Sequence, residues 1–265
     1  MRYRFPSILA LLLVATSQPL EARVVPDLYF AQAIVTGTEE PERTRGFREA
    51  LETVFVKLAG NTKLATDPRI ASLTAKPHAF VETFAYEDRM KDIPVHDEQG
   101  TRERPHFLRV TFSRPAIDAA LQQLGIPRWP ADRPVVAVWL AIDTPAGQFV
   151  LTDSGPTGYG QRAVITETAQ RLGLPIRLPA GSDSAITFDD IARERIDAMR
   201  NAAPDADAHV LGRLLARTDG YWDLLWTFHA RDGVRHWKFP GITFDTGLKQ
   251  GFASTVETLS GAARK

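Results

Sequence analysis

Apolar and polar residues repeat along this chain with two different periods, which predict helices and strands. After Arg43 the apolar residues recur three and four positions apart, which is the spacing of one helix face. They are Phe47, Ala50, Leu51, Val54, Phe55 and Leu58. Gly60-Asn61 follows, and glycine adopts the left-handed conformation that ends a helix without a Cβ penalty. We therefore expect an amphipathic helix that ends at Gly60.

Runs rich in aromatic and β-branched residues predict the strands. These runs cover residues 28–35, 80–86, 107–112, 135–142, 174–178, 208–216, 221–230 and 234–239. Further helices are predicted from Asp67, from Ser113, over 161–172, over 188–200 and from Phe244. Residues 87–104 are highly charged and are predicted to form a loop. This order predicts an α/β (α+β) fold, with two small mixed-sheet modules and helices packed on the sheets.

A tract with three prolines, residues 127–134, separates the two predicted modules. Proline restricts its own backbone and that of the preceding residue, so neither a helix nor a central strand continues through the tract. We expect an N-terminal α/β module over 23–126, a proline-rich linker over 127–134 and a C-terminal module over 135–265. The C-terminal module has the predicted order β-α-β-α-β-β-β-α.

The first residues are typical of a secretory signal peptide. Arg2 and Arg4 precede an apolar run from Phe5 to Ala15, which is too short to span a membrane. Cleavage after Ala22 or after Ser17 places a small residue at the cut site. We therefore expect a signal peptide over residues 1–22, a periplasmic location, and a mature chain without a transmembrane anchor.

Composition excludes several classes of function. The chain has 32 Lys+Arg and 32 Asp+Glu residues, so no overall basic field predicts a nucleic-acid partner. It has no cysteine, which excludes disulfides, thiol catalysis and cysteine-ligated zinc or iron–sulfur sites.

Several short segments resemble a known family. They are Leu28-Tyr29, Val56-Lys57-Leu58-Ala59-Gly60-Asn61, Leu124-Gly125-Ile126-Pro127-x-Trp129 and Val138-Trp139-Leu140-Ala141. Together they resemble the domain-of-unknown-function 2066 family of exported proteobacterial proteins. The resemblance implies that Lys57, Gly60, Asn61, Trp129 and Trp139 are signature residues. It implies an exported protein but no particular reaction.

Three histidines form the one candidate metal site. A three-residue loop at 218–220 pairs His209 with His229, and a turn at Asp232-Gly233 places His236 on the other side of His229. The three imidazoles then stand in a row on a solvated, polar strand face, where they could hold zinc or copper. The alternative is a solvated face that simply tolerates histidine. On the opposite face Trp222, Trp226 and neighbouring apolar residues predict either a sheet core or an exposed carbohydrate platform.

The remaining motifs nominate no catalytic and no cofactor-binding residue. Neither Gly-x-Ser-x-Gly nor His-Glu-x-x-His occurs. We expect a non-catalytic envelope module that binds a protein partner or supports an assembly. Two alternatives stay open: a periplasmic protein that binds a small ligand or a metal, and a hydrolase without a recognisable motif.

Overall fold

The computed structural model describes residues 23–92, 103–181 and 185–264. The predicted signal peptide lies outside the described residues, and so does 93–102, the larger part of the predicted loop. The described residues form helices packed on sheets, which confirms the α+β class.

The first half is built on an antiparallel sheet. Its elements are β1 (Arg23–Val24), β2 (Phe30–Thr36), α1 (Glu42–Ala59), α2 (Pro68–Thr74), β3 (Val81–Asp88), β4 (Pro105–Phe112) and α3 (Arg114–Gln123). Within the described residues the strand order is β2-β4-β3, and β4 runs antiparallel to both neighbours. The prediction of a mixed sheet here was therefore wrong.

Helix α1 confirms the periodicity of its sequence. Phe47, Leu51, Phe55 and Leu58 are all buried, and the helix packs across β2. Gly60 ends the helix in the left-handed region at φ +60°, and its N–H donates to the carbonyl of Val56. The helix forms because one continuous apolar face meets the sheet.

The second half is built on a mixed sheet. Its elements are β5 (Asp132–Arg133), β6 (Val136–Thr144), β7 (Gly147–Val150), α4 (Tyr159–Leu172), β8 (Ile176–Arg177), α5 (Phe188–Ala192), α6 (Ile196–Ala202), β9 (Ala208–Ala216), β10 (Trp222–Ala230), β11 (Gly233–Ile242) and α7 (Phe244–Ser260). Among the described residues the sheet order is β11-β10-β9-β6-β7, and β8 also pairs with β6. Strand β6 runs parallel to β8 and β9 and antiparallel to β7.

The single helix predicted over 188–200 is two short helices. Helix α5 begins with a capping box between Thr187 and Asp190. The chain then turns at Glu194, a non-glycine residue with a φ of +50°, before α6 begins. The prediction was wrong because neither glycine nor proline marks this break.

The six-stranded sheet is covered on both faces. The tryptophan face, which carries Leu224, Trp226 and Phe228, packs under α7. The indole N–H of Trp226 donates to Thr255 Oγ1 at 3.0 Å, so the core interpretation of these aromatic residues is confirmed. The apolar cluster of the tryptophan face continues into the core around α1, so the two halves share one core. The opposite face forms a second cluster with α5 and α6.

The proline-rich tract is packed between the halves. Trp129 is buried and donates its backbone N–H to the carbonyl of Leu58 at 2.7 Å. Arg133 is fully buried at the end of this tract, and β5 pairs with β1. Among the described helices, none combines the length and apolar character that a membrane span requires.

Candidate functional site

The candidate histidines come from adjacent strands, but not in the predicted row. His209 on β9 faces His229 on β10, which confirms that pairing. His236 faces Thr227 and not His229. The turn between β10 and β11 causes this difference, because Ala230 pairs with Gly233 and the two loop residues are 231–232. The predicted register of this hairpin was therefore wrong by two residues.

The histidine face, which carries His209, Thr227, His229 and His236, is not the solvated surface predicted. Helices α5 and α6 cover part of it, and His209 is only 5% exposed and His229 only 9%. Trp139 lies beside them and points its indole N–H at His209 Nδ1 at 3.4 Å. The prediction was wrong because the alternating polar residues lie beneath a second layer of helices.

Burial keeps two of the imidazoles neutral. It lowers the pKa of His209 to about 4, and the positive charges of Arg200 and His229 act in the same direction. Burial also lowers the pKa of His229, which the carboxylate of Glu194 partly opposes. A proton on either ring would be a desolvated charge, so both rings are neutral at pH 7.

The described residues do not assemble a metal donor set. Nowhere in this part of the chain do three or more His, Cys, Asp or Glu side chains gather in a way that could hold an ion. His209 and His229 are neighbours on adjacent strands, whereas His236 contacts the hydroxyl of Thr227.

His236 belongs to a polar network with Thr227 and Glu194. The hydroxyl of Thr227 donates to Glu194 Oε1 at 2.8 Å and lies 3.1 Å from His236 Nδ1. Since the hydroxyl proton goes to the carboxylate, the Thr227 oxygen is free to accept from a protonated Nδ1 of His236. The same carboxylate oxygen lies 4.0 Å from His236 Nδ1. This network ties the α5–α6 turn to the face of the sheet.

A cavity of about 180 Å³ opens beside this network. Its polar lining consists of Glu194, Arg213, Thr227, His236 and Lys238. Two buried nitrogen atoms on this face, Arg213 Nε and His229 Nε2, have no hydrogen-bond partner among the described residues. Buried polar groups in native proteins are nearly always bonded, so unpaired ones indicate a missing partner. We call this concavity the α5–α6 cavity.

Larger concavities elsewhere among the described residues have polar groups that already bind one another. One, of about 520 Å³, lies beside residues 24–31. There Arg128 pairs with Asp118 at 3.1 Å, and Arg114 and Arg128 lie over the ring of Tyr29. Another, of about 410 Å³, lies between α4 and α7, where Lys249 pairs with Asp245 at 3.3 Å.

Lys57, one of the predicted signature residues, is a buried structural residue. Its ammonium donates to the carbonyl of Phe30 at 2.7 Å. Burial, together with the nearby charge of Arg133, lowers its pKa to about 8, and Asp27 acts in the opposite direction. The Lys57 side chain therefore joins α1 to β2.

Arg133 is a buried cation that the sequence patterns did not single out. Its guanidinium donates to the carbonyl oxygens of Lys57 at 2.8 Å, Gly173 at 2.8 Å, and Leu172 and Pro130 at 3.1 Å. It also lies 3.9 Å above the ring of Trp129. Burial lowers its pKa to about 10, so it stays charged at pH 7. A proline-rich tract is normally exposed, and no sequence signal predicted an arginine buried there.

The other signature residues also shape the fold. A Cβ atom on Gly60 would lie 2.5 Å from Ser260 Cβ and 2.9 Å from Trp129 Cε3. Asn61 Oδ1 accepts the backbone N–H of Lys63 at 3.1 Å and so caps the short 3₁₀ turn at 62–66. These contacts assign the two residues to the turn after α1.

The edges of the two sheets differ in how their backbone groups are satisfied. On the outer edge of β2, Lys57 donates to Phe30 O, Arg45 donates to Ile34 O at 2.8 Å, and Thr36 N–H donates to Glu42 at 3.2 Å. Side chains of α1 therefore close this edge.

In the part of the chain that the structure describes, no side chains cover the outer edge of strand β11 in this way. The pair Ala230–Gly233 closes the hairpin, and bonded and non-bonded pairs alternate from there. The N–H and C=O groups of Val234, His236 and Lys238 therefore point away from β10. Among the described residues, no side chain or loop bonds these groups. The outer edge of β11 is open to an added strand.

The comparisons with known proteins leave the activity open. Residues 22–130 match the model of a family described as a domain of unknown function, DUF8605. This family differs from the domain-of-unknown-function 2066 family, so that resemblance was wrong. No curated protein of known annotation matches the chain. The N-terminal half is therefore similar to a family of unknown function, and the β11 edge and the α5–α6 cavity are the features on which a function can be argued.

Proposed function

We propose that this chain is an exported binding module that takes an extended, acidic segment of a partner protein onto the outer edge of β11. The observation that carries the proposal is the row of unbonded N–H and C=O groups at Val234, His236 and Lys238. An extended segment pairs with such a row through main-chain hydrogen bonds, and its side chains supply the specificity.

The charge around β11 favours an acidic partner. Arg231, Arg235 and Lys238 lie within eight residues of chain that contain one carboxylate, Asp232, in a protein whose positive and negative residues balance. Arg235 pairs with Asp232 at 3.2 Å, which leaves Lys238 without an ion pair among the described residues. Complementary charge speeds association and favours the right partner.

The edge of β11 differs from other edges in a way that supports binding. Natural proteins usually protect edge strands, as α1 protects β2 here. Strand β3 is also an edge strand, but its carboxylates Glu87 and Asp88 already pair with Arg109 and Arg104, and the remaining charge on the strand, Glu82, would repel an acidic segment. The basic β11 edge is thus the better match for an acidic strand.

We propose that export carries this edge into the envelope. The arginines and the apolar run before Ala22 support a signal peptide, so the expected partner is a periplasmic or membrane-attached protein. We propose that the chain acts there by binding its partner, without catalysis.

The test uses synthetic ten-residue peptides and the mature chain. One peptide alternates glutamate with valine, and a second alternates lysine with valine. We expect the acidic peptide to bind at least about ten-fold more tightly, because only it complements β11. Binding should also slow hydrogen exchange at the amides of Val234, His236 and Lys238.

Two substitutions at one position separate backbone pairing from side-chain contact. His236→Pro removes an outward N–H, and we expect about a ten-fold loss of acidic-peptide affinity. His236→Ala keeps that N–H and should change the affinity less than about three-fold. Equal binding of both peptides, or unchanged exchange at the three amides, contradicts the proposal. A second copy of the chain could also occupy the edge, through its β3 strand with Glu82. Self-association that Glu82→Lys abolishes would identify that occupant and would overturn the proposal of a partner protein.

A further inference from the structure

We propose that the α5–α6 cavity binds a free, small aliphatic amino acid in its zwitterionic form. The cavity holds separated positive and negative groups with an apolar surface between them. A ligand that matches this arrangement has a carboxylate, an ammonium group and a short apolar side chain.

The positive end of the cavity comes from one row of cross-strand neighbours. Arg213 on β9 faces Leu225 on β10, which in turn faces Lys238 on β11. Neither cation has a carboxylate within ion-pair distance among the described residues. Arg213 Nε is moreover buried, and no acceptor for it lies in the described part of the chain. A ligand carboxylate would supply the acceptor that this nitrogen lacks, and bonds between charged groups are the stronger kind.

The negative end lies on the next row. This row lies two residues further along each strand, about 7 Å from the first row, and consists of Leu211, Thr227 and His236. The carboxylate of Glu194 is fixed here because the Thr227 hydroxyl donates to its Oε1 at 2.8 Å. Its Oε2 makes no bond within the described part of the chain. An ammonium group on the ligand can donate to that oxygen.

The positive and negative groups lie on neighbouring rows, so a single amino acid can contact both with its carboxylate and its ammonium group. A ligand that bonds Arg213 with its carboxylate and Glu194 with its ammonium reaches from one row to the next, and the backbone positions of these rows lie about 7 Å apart. A simple anion would meet the repulsion of Glu194, and a simple cation that of Arg213 and Lys238. An amino acid carries a carboxylate and an ammonium group on the same carbon, so each of the two repulsions is offset by an attraction.

The apolar wall and the volume limit the side chain. Ile191, Leu211 and Leu225 line the cavity between its charged ends. At about 180 Å³ the cavity holds roughly six water molecules, so it is smaller than the sites of drug-sized ligands. Valine and leucine fit this description, whereas a large aromatic side chain exceeds it.

The backbone at Glu194 supports a functional role for its carboxylate. Glu194 adopts a φ of +50°, a conformation that non-glycine residues rarely adopt and that costs energy. This conformation directs the side chain from the α5–α6 turn to the sheet, where the network with Thr227 and His236 fixes it. Strain of this kind is found preferentially at ligand sites.

The test compares three ligands by calorimetry and by the methyl resonances of Leu225 and Thr227. L-leucine carries both charges, N-acetyl-L-leucine lacks the ammonium and represents a peptide carboxyl end, and L-leucinamide lacks the carboxylate and represents a peptide amino end. We expect leucine to bind at millimolar concentration or below, and each derivative to bind at least about ten-fold more weakly. Equal binding of leucine and either derivative would overturn the assignment, as would unmoved methyl resonances at millimolar leucine.

Matched variants connect the affinity to the named groups. Arg213→Gln and Lys238→Gln should each weaken leucine binding, Arg213→Gln by about ten-fold. Lys238 is exposed, so we expect its replacement to leave the fold intact. Glu194→Gln should reduce the preference for leucine over N-acetyl-leucine. Arg235→Gln, on the opposite face of β11, is the control and should leave leucine binding unchanged. Leucine affinity that survives both Arg213→Gln and Lys238→Gln contradicts the proposal.

Discussion

At the scale of single residues, two buried cations tie separate segments of the chain together by bonding backbone oxygen atoms, and Arg133 joins the two halves in this way. Lys57 donates to Phe30 O, and Arg133 donates to four carbonyl oxygens from three separate segments. A buried charge without partners is strongly unfavourable, whereas Arg133 bonds four carbonyl oxygens and Lys57 bonds one. Their contribution to stability therefore depends on keeping the whole set of bonds.

Replacement of Arg133 tests this dependence. In Arg133→Ala the four carbonyl oxygens lose their donor and Trp129 loses its stacked neighbour. We expect the free energy of unfolding to fall by about 3–5 kcal/mol, measured by urea denaturation. Arg128→Ala in the same tract removes an exposed side chain and should cost less than about 1 kcal/mol. Similar losses in the two variants would contradict this role of Arg133.

His209 makes stability depend on pH. Its pKa falls from 6.5 to about 4 on folding, so the unfolded chain binds the proton first as the pH falls. The stabilisation is fully present above pH 6.5 and is lost as the pH falls towards 4. The loss amounts to about 3 kcal/mol for this one group, and the lowered pKa of His229 acts in the same direction.

The measurement compares unfolding free energies of the mature chain between pH 7 and pH 4. His209→Gln keeps an acceptor for the Trp139 indole but has no proton to bind, so its stability should fall less steeply with acid. A variant that loses stability with the same slope as the natural chain would show that His209 does not cause the effect.

At the scale of elements, local signals predicted most helices and strands. Helix α1 was predicted almost to its ends because its apolar face and its terminal glycine both lie within one short window of sequence. The register between β9 and β10 was also correct, since the loop at 218–220 is short.

What the sequence could not predict depends on contacts between distant segments. The break at Glu194 and the cover of α5 and α6 over His209 and His229 arise from packing on the sheet. The burial of Arg133 depends on carbonyl groups from two distant parts of the chain, Lys57 and Leu172-Gly173. Of the candidate site, the pairing of His209 with His229 was predictable, whereas the network of Glu194 with Thr227 was not.

Two helix ends offer a matched test of what tertiary packing adds to a local signal. Gly60 and Gly125 have nearly equal backbone angles, φ +60° and +63°. A Cβ at Gly60 meets Ser260 and Trp129, whereas no atom of the residues that the structure describes lies within 4 Å of one at Gly125. By thermal or urea unfolding, Gly125→Ala should cost about 1–2 kcal/mol for conformation alone. Gly60→Ala should cost about 1–3 kcal/mol more through overpacking. Equal losses of unfolding free energy in the two variants would show that α7 shifts to accommodate the added methyl group and would contradict this prediction.

At the scale of the whole molecule, the last helix holds the first. Ser260 Oγ at the end of α7 donates to Gly60 O at 2.7 Å, and Thr62 bonds Glu257. The apolar core runs without interruption from α1 to α7. The sheets of the first and second halves of the chain are thus connected through the contact between α1 and α7.

The proposed export has a direct consequence for the whole chain. Signal cleavage after Ala22 or Ser17 would leave a mature protein that begins at Arg23 or Gln18. Intact-mass analysis of the exported protein should find one of these two masses. Material in the periplasm that retains Met1 would contradict the signal peptide.

The bonds of Arg133 also bear on how the chain can vary in evolution. Because its acceptors are carbonyl oxygens, the side chains at positions 57, 130 and 172 can change without removing an acceptor. Gly173 is the exception, since a Cβ there would collide with the guanidinium. Relatives that keep Arg133 should therefore also keep glycine at position 173 and an aromatic ring at position 129, and a search for co-varying side chains should find these two positions as the partners of the cation.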